Sequence, residues 1–286
     1  MLVSTRKNGR VNPGYPSLYQ FNSSVVYIPV DSNKYYVLDA TNKYNIYNQV
    51  PNNYLNSFGL YINKDEGEYD LAFLQDKDPV RQVVLINAEI KPEGKMSGSV
   101  DISSFVYNRV NCVKKYKTDG EKKYIDFLRD DNNNLKIASI KLENMDVDTL
   151  PLRQTLDFNL DLTGADDNYI YFNSNLFTAL KTNPFLSESR VTDIDFGYRD
   201  NYSITGIFKL PAGYKVDAMP KSLSMVIPDK SIVFKRIVVE QDGSLMIRLN
   251  VDFKQSMYFK ENYPEFHEFY KKMYEMLNEQ VVLKKS

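Results

Sequence analysis

The stretch that decides the fold is a pair of apolar runs around a turn: Ser231-Ile-Val-Phe-Lys-Arg-Ile-Val-Val-Glu240, Gln241-Asp242-Gly243 and Ser244-Leu-Met-Ile-Arg-Leu-Asn-Val-Asp-Phe253. The first run is rich in β-branched residues, which favour strands, and the second alternates apolar with polar residues over much of its length. The Asp-Gly pair between them is a strong hairpin signal, because it suits a turn in which both central residues have positive φ. We therefore predict two antiparallel strands, over 231–240 and 244–259.

Alternation of apolar and polar residues extends the β prediction along much of the chain. One strand alternates apolar with acidic and amide residues: Leu156, Phe158, Leu160 and Leu162 with Asp157, Asn159 and Asp161. This pattern is typical of a strand with one buried and one solvated face. Further strand candidates are 81–90, 96–102, 202–208 and 281–283.

In two regions the apolar residues do not alternate with every second position. Helically spaced apolar residues on both sides of Asp119-Gly120 predict two short helices within 104–129. A second region, about 264–280, begins with Pro264, which suits the first turn of a helix. It carries an apolar stripe of Phe266, Phe269, Tyr270, Met273, Met276 and Leu277. We expect this amphipathic helix to cover an apolar sheet face.

The N-terminal part is expected to be organised separately. Residues 24–30 and 35–39 predict a hairpin, with a turn at 31–34. We predict three segments: an N-terminal hairpin region over 1–62, a linker over 63–79 and a β-rich domain over 80–286. The predicted fold class is mainly β (α+β), with an antiparallel β-sandwich-like domain and a C-terminal amphipathic helix.

The composition of the 286 residues narrows the function classes. Hydrophobic residues make up 43% and charged residues 26%, as in a globular protein. The net charge of −1 provides no strong field for nucleic acid or an anionic membrane. No apolar stretch approaches the roughly 20 residues of a membrane span, and no signal peptide is visible. We predict a soluble protein that binds no nucleic acid and no cofactor.

Cys112 and His267 are the single cysteine and the single histidine of the chain. One cysteine cannot form an intramolecular disulfide, and these two residues cannot build a zinc site rich in Cys or His. Cys112 lies in an apolar helical pattern and is predicted to be a packed structural residue. His267 follows Phe266, off the apolar stripe, and is predicted to lie on the surface.

The acidic clusters predict turns and solvated faces. Residues 130–134 (Asp-Asp-Asn-Asn-Asn) resemble a calcium loop, but the EF-hand pattern needs Gly and Glu where Leu135 and Lys141 stand. Residues 165–168 also predict a turn. Asp157 and Asp161 lie on the wet face of their strand, so they do not predict a glycosidase pair. No nucleotide-binding, serine-hydrolase or zinc-protease motif occurs.

The first 41 residues resemble the end of a transglutaminase-like (papain-like cysteine) domain. The resemblance is carried by Leu2-Val-Ser-Thr-Arg6, Asn8-Gly9, Gln20-Phe-Asn22 and Tyr36-Val-Leu-Asp-Ala-Thr41. The whole chain resembles, more loosely, the C-terminal half of multidomain Bacteroidetes proteins in which a β domain follows such a core. Segments 210–217, 219–222 and 269–284 carry that second resemblance. It implies that residues 1–62 are the last strands of a partial transglutaminase-like core.

The resemblance also implies a catalytic triad of Cys, His and Asp. Asp39 matches the acid, but Ser23 stands where the family has its histidine, and we expect the cysteine to lie upstream of Met1. Without an imidazole, nothing at this position takes a thiol proton near neutral pH. We therefore predict that the chain is not an enzyme and that Ser23 and Asp39 are triad remnants. The chain would then be a truncated or degenerate member of the family.

Three functions remain open at this point. The first is a non-catalytic binding or scaffolding module for a peptide or glycan at a bacterial envelope, where the family resemblance suggests a periplasmic location; the 22 tyrosines could stack on sugars. The second is part of a cysteine peptidase or amidase whose catalytic half lies upstream. The third is a purely structural domain, with a homodimer through exposed apolar surface as one possibility.

Overall fold

The computed structural model describes residues 1–31, 34–166 and 168–286, which fall into two compact units. Unit 1 contains residues 1–80, 192–200 and 254–259, and unit 2 contains residues 81–191, 201–253 and 260–286. The centre of the turn predicted at 31–34 and one residue of that predicted at 165–168 lie outside the described residues. The division into 1–62, 63–79 and 80–286 stays a prediction.

The chain forms nineteen labelled strands and two α-helices within the described residues. In chain order they are β1 (Leu2–Val3), β2 (Ser23–Ser24), β3 (Val26–Pro29), β4 (Tyr35–Leu38), β5 (Ser57–Asn63), β6 (Glu68–Leu74), β7 (Val80–Lys91), β8 (Lys95–Ser104), α1 (Val106–Arg129), β9 (Leu135–Glu143), β10 (Leu152–Asp161), β11 (Tyr169–Phe172), β12 (Ile194–Asp195), β13 (Asp200–Lys209), β14 (Tyr214–Ala218), β15 (Leu223–Val226), β16 (Ile232–Gln241), β17 (Ser244–Phe253), β18 (Met257–Tyr258), α2 (Tyr263–Leu277) and β19 (Val281–Lys285). The predicted fold class is confirmed: the protein is mainly β with antiparallel sheets, and a helix lies near the C-terminus.

Unit 1 is built on a four-stranded sheet in the order β2-β1-β5-β6. The predicted hairpin of 24–30 and 35–39 is confirmed as β3 and β4, with Val26 opposite Leu38 and Pro29 opposite Tyr35. Two later segments of the chain return to this unit and pair as β12 and β18. Distant parts of the sequence therefore build unit 1 together.

The hairpin of β5 and β6 was not predicted. No strand is predicted over 42–61, and β6 lies inside the stretch predicted as a linker. The charged run after β5 is the hairpin's turn, where Gly67 adopts a φ of 69°. β6 does alternate, with Tyr69, Leu71 and Phe73 between Glu68, Asp70 and Ala72. The strand was missed because this short alternation directly continues the charged run that predicts a turn and linker.

Unit 2 is built around an eight-stranded sheet in the order β15-β16-β17-β13-β7-β8-β10-β9. The hairpin quoted at the outset is confirmed as β16 and β17, with Gln241 opposite Ser244. Asp242 and Gly243 have φ values of 51° and 68°, as a two-residue turn of type I′ requires. The predicted strand over 244–259 is too long, because three polar residues, 254–256, end the alternation and the chain leaves the sheet at Phe253.

The remaining strand and helix predictions hold with small shifts. The residues of β10 alternate strictly between buried and exposed, with Asp157 and Asp161 on the exposed face. The predicted pair of short helices is α1, whose two halves meet at Gly120, a residue with non-helical φ and ψ of 80° and 170°. α1 packs against β8, β9 and β10.

The C-terminal helix buries its apolar stripe in the core of unit 2. The side chains of Phe266, Tyr270 and Met273 are almost wholly inaccessible. The helix ends three residues earlier than predicted, because the Asn278 side chain donates to the carbonyl of Tyr274 at 2.9 Å and caps it. Neither helix of the described residues is long and apolar enough to cross a membrane.

Candidate functional site

Ser23 and Asp39 are joined through a third side chain, that of Tyr54. The Ser23 Oγ lies 3.2 Å from the Tyr54 hydroxyl, which donates to Asp39 Oδ2 at 3.0 Å. The structure thus brings both predicted residues to one place, with a phenol between them. We call these three residues the Tyr54 relay.

Each member of the relay is held by a different element of unit 1. Ser23 begins β2 and pairs with Val3 of β1. Asp39 follows the last residue of β4, and Tyr54 ends a 3₁₀ turn at residues 52–54. Tyr54 is 3% exposed, so its side chain is shielded from solvent.

Hydrogen bonds hold the Asp39 carboxylate from several directions. Its Oδ1 accepts from the backbone N–H of Thr41 at 2.9 Å and from the Thr41 hydroxyl at 2.6 Å. Burial raises the pKa of Asp39, but hydrogen bonds from Thr41, Tyr54 and Asn45 outweigh it, so the pKa lies below its ordinary value. Asp39 is therefore ionised at neutral pH.

The protons of the relay are placed by this arrangement. Tyr54 has one proton, which it donates to Asp39, so Ser23 has to donate to the phenol oxygen. Burial, together with the hydrogen bond to Asp39 and its charge, raises the pKa of Tyr54, although the contact with Ser23 lowers it. A neutral phenol is a poor base, so nothing in the relay activates the Ser23 hydroxyl as a nucleophile.

Tyr54 is the residue that sequence reasoning missed. It lies in a stretch of aromatics among polar residues, where 22 tyrosines in the chain make any one of them uninformative. No spacing rule links a 3₁₀ turn at 52–54 to a strand beginning at Ser23. The relay depends on tertiary contacts between positions 15 and 31 residues apart.

A cleft of about 840 Å³ lies within unit 1. Aromatic side chains form part of its wall: Tyr35, Phe73 and Phe259. Phe73 and Phe259 are 43% and 57% exposed. The cleft therefore offers open apolar surface of the kind that ligand sites use.

Three cations and one carboxylate line this cleft. Arg199 Nε lies 2.7 Å from Asp76 Oδ2, and the Asp76 side chain is 5% exposed. This pair is used structurally, because Arg199 also donates to the backbone carbonyls of Asp76 and Lys77. Lys254 has no ion-pair partner within the part of the chain that the structure describes. The cleft keeps an excess of positive charge.

Lys77 is held at the wall of the cleft by aromatic rings. Its Nζ donates to the carbonyl of Tyr35 at 2.6 Å and lies 5.2 and 5.1 Å from the ring centroids of Tyr35 and Tyr36. Burial lowers the pKa of Lys77; Asp78 opposes this effect and Lys34 adds to it. The ammonium is thus a fixed positive group on the cleft surface.

Cys112 belongs to a polar network inside unit 2. Its Sγ lies 4.0 Å from the Ser104 Oγ, and the Ser104 Oγ accepts from Gln154, which in turn accepts from Tyr124. Burial raises the pKa of the Cys112 thiol, against the lowering effect of hydrogen bonds with Tyr124 and Ser104. A thiol in this state is a structural group rather than a nucleophile.

The other candidates lie apart from one another. His267 is half-buried on α2, with its ring centroid 5.7 Å from that of Tyr263. Asp130 ends α1 in a left-handed conformation and pairs with Lys181 at 3.0 Å. Asp157 accepts from the Ser139 hydroxyl at 2.9 Å. Within residues 1–31, 34–166 and 168–286, no group of three or more acidic, His or Cys side chains could hold a metal ion.

Comparison with known proteins gives two similarities. Residues 168–283 match the family model DUF3858, a domain of unknown function with a solved structure. No curated protein matches the chain. A solved structure titled a "putative protease" from Parabacteroides distasonis aligns with 42% of this chain and 24% of its own, at 10% identity and a TM-score of 0.36. That score is too low to establish a shared fold.

Proposed function

We propose that this protein is a non-catalytic binding module, derived from a transglutaminase-like protein, whose unit 1 binds a ligand bearing a carboxylate. The Tyr54 relay is the observation that carries the non-catalytic part. Asp39 is engaged with Tyr54 and Thr41, and Ser23 has no base to activate it. The relay therefore acts as a structural link between β2 and the end of β4.

The cleft supports the binding part of the proposal. Its excess cations, Lys77 and Lys254, favour an anionic group, and its exposed aromatic rings favour an apolar or sugar surface beside it. An acidic peptide and a glycan containing uronic acids share this chemistry. Both are abundant at a bacterial envelope, the location that the family resemblance suggests.

The binding proposal is tested with two probes, pentaglutamate and an oligogalacturonate trimer, by isothermal titration calorimetry at low salt. At least one probe should bind, and Lys77→Glu with Lys254→Glu should weaken it at least tenfold. Lys7→Glu is the control, because Lys7 is exposed and does not line the cleft. Absence of binding by both probes would contradict a carboxylate-binding cleft.

The non-catalytic proposal is tested with amide hydrolysis and Gln–Lys crosslinking assays. We expect no turnover above that of buffer, with or without reductant. Turnover that disappears in Asp39→Ala while the variant stays folded by circular dichroism would overturn the proposal, because it would assign Asp39 a catalytic role.

A second function is favoured by one observation: Asp39 keeps the ionised, oriented carboxylate that a triad acid needs. The chain would then form part of a cysteine peptidase or amidase whose nucleophile lies on an upstream segment. Ser23 argues against this function even in a longer protein, since the base is missing. The product of the complete natural gene should be inactive with Ser23, and activity in that protein would favour the enzyme.

A further inference from the structure

β6 is an edge strand with an unpaired side. In the sheet β2-β1-β5-β6, it pairs with β5 alone, and within the described residues no strand pairs with its outer edge. The Leu74 carbonyl accepts from Asn56, beside β5, at 2.7 Å. Because successive residues of a strand direct their backbone groups to opposite sides, Tyr69, Leu71 and Phe73 direct theirs outward.

One outward backbone N–H of β6 already has a hydrogen-bond acceptor from a side chain. The Leu71 N–H donates to the Oδ1 of its own neighbour, Asp70, at 2.7 Å. A side chain thus occupies a donor that a neighbouring strand would otherwise engage, as happens at edges that proteins protect from uncontrolled pairing. This contact agrees with an outward direction for the Leu71 N–H, because a donor used by β5 would not need a side-chain acceptor.

Three cavities lie in a row beside β6, over the sheet face that β6 shares with Phe58 and Leu60 of β5, and we call this row the groove. The cavity of about 440 Å³ at the start of β6 is lined by Tyr69 and Leu71, and the cleft of about 840 Å³ at its end is lined by Phe73. A third cavity of about 450 Å³ shares Val11 with the first and Phe73 with the second, so it lies between them. All three lie within unit 1.

The two ends of this groove differ in chemistry. The cavity at the start of β6 is mostly apolar, and Tyr15, Leu18 and Tyr69 beside it are 62%, 68% and 76% exposed. The cleft at the end of β6 carries Lys77 and Lys254. A ligand that spans the groove would need an apolar group at one end and an anion at the other.

We propose that the outer edge of β6 binds an extended peptide as an added strand. This inference rests on the proposed binding function and specifies its ligand. The peptide hydrogen-bonds to the backbone of Tyr69, Leu71 and Phe73 and displaces the Asp70 carboxylate from the Leu71 N–H. It runs antiparallel to β6, as the neighbouring strands do. An acidic residue therefore precedes an apolar residue in the peptide, so that the acid reaches the cleft.

A matched set of capped heptapeptides tests the inference directly. The probe is Glu-Thr-Val-Thr-Val-Thr-Leu, labelled with fluorescein and titrated by fluorescence polarisation. The first control has the reverse order, Leu-Thr-Val-Thr-Val-Thr-Glu, with the same composition. The second control is a pair of N-methylated probes, one methylated at the odd-numbered residues and the other at the even-numbered residues. Only one of the two loses the backbone N–H groups that would face β6. We expect the probe to bind about tenfold more tightly than either the reversed peptide or the weaker N-methylated form.

Protein variants test the same contact from the other side. Leu71→Pro removes the outward N–H and should abolish binding, and the sheet should tolerate it because that N–H is not used by β5. Leu71→Ala is its control, since it also shortens the side chain but keeps the N–H. Asp70→Ala removes the competing carboxylate and should tighten binding several-fold.

The outcomes separate this inference from the binding proposal. Probe binding that is indifferent to N-methylation and to Leu71→Pro would overturn strand addition, while the cleft could still bind carboxylates. Oligogalacturonate binding without peptide binding would overturn the peptide and keep the binding module. A dimer in sedimentation that Leu71→Pro dissociates and Leu71→Ala preserves would assign the edge to a second copy and overturn the inference.

Discussion

The two units use their polar residues differently. In unit 2, the single cysteine belongs to a network with Ser104, Gln154 and Tyr124, and the side chains of these three partners are buried. In unit 1, the edge of β6 and the rings of Tyr69 and Phe73 are open to solvent. Exposed aromatic rings and unpaired strand edges are costly to leave without a partner. Most of the exposed aromatic side chains among the described residues lie in unit 1, which favours this unit as the place of the proposed binding function.

The largest expected effect is on stability and tests the packed core of unit 2. Phe234 on β16 is fully buried, so Phe234→Ala should lower the free energy of unfolding by about 3–5 kcal/mol. Urea denaturation followed by far-UV circular dichroism measures it. Val239→Ala, at a 39% exposed position of the same strand, should cost under about 1 kcal/mol. Equal losses in both variants would show that unit 2 has no specific core at Phe234.

A smaller effect is expected in the Tyr54 relay. Tyr54→Phe removes the hydroxyl that links Ser23 to Asp39 and should cost about 1–2 kcal/mol, the usual cost of leaving partners unpaired. Tyr15→Phe, at an exposed tyrosine, should change stability by less than about 0.5 kcal/mol. A Tyr54→Phe variant as stable as the wild type would remove the structural role of the relay.

The pH dependence of stability follows from the lowered pKa of Asp39. The folded-state pKa lies below the unfolded value of about 3.9, so the ionised carboxylate stabilises the fold. Its contribution is present above the unfolded pKa and is lost as pH falls through the folded pKa. The stability difference between wild type and Asp39→Asn should therefore be constant near neutral pH and shrink below about pH 4. A difference that grew on acidification would have the wrong sign.

The smallest effect is expected at the single histidine. His267 contacts the ring of Tyr263 at the edge of the α2 stripe. His267→Ala should leave stability within about 0.5 kcal/mol of wild type and leave peptide binding unchanged. Loss of peptide binding in this variant, with the fold intact, would place a functional group in unit 2 and contradict the assignment of binding to unit 1.

Sequence patterns predicted unit 2 better than unit 1 for a physical reason. The hairpin at Asp242-Gly243, the alternation of β10 and the stripe of α2 each bury one regular face, and burial leaves a period in the sequence. β6 carries a short alternation of Tyr69, Leu71 and Phe73, but it buries little and adjoins a charged turn. The prediction therefore assigned these residues to a linker.

The candidate site was predictable only in part. Resemblance singled out Ser23 and Asp39, and the structure brings them together, but their assignment as triad remnants stays a prediction. Tyr54 could not be found, because its role depends on a tertiary contact with no local signal. The cleft could not be found either, since it combines Lys77 with Arg199 and Lys254 from segments more than 50 residues apart.

The most direct test of the account compares one peptide on two variants. The fluorescein-labelled probe Glu-Thr-Val-Thr-Val-Thr-Leu is titrated into the folded Asp39→Asn and Leu71→Pro proteins beside wild type. We predict an unchanged Kd for Asp39→Asn and no measurable binding for Leu71→Pro, because the relay is structural and the edge of β6 binds. Unchanged binding to Leu71→Pro, together with loss in Asp39→Asn, would contradict the account.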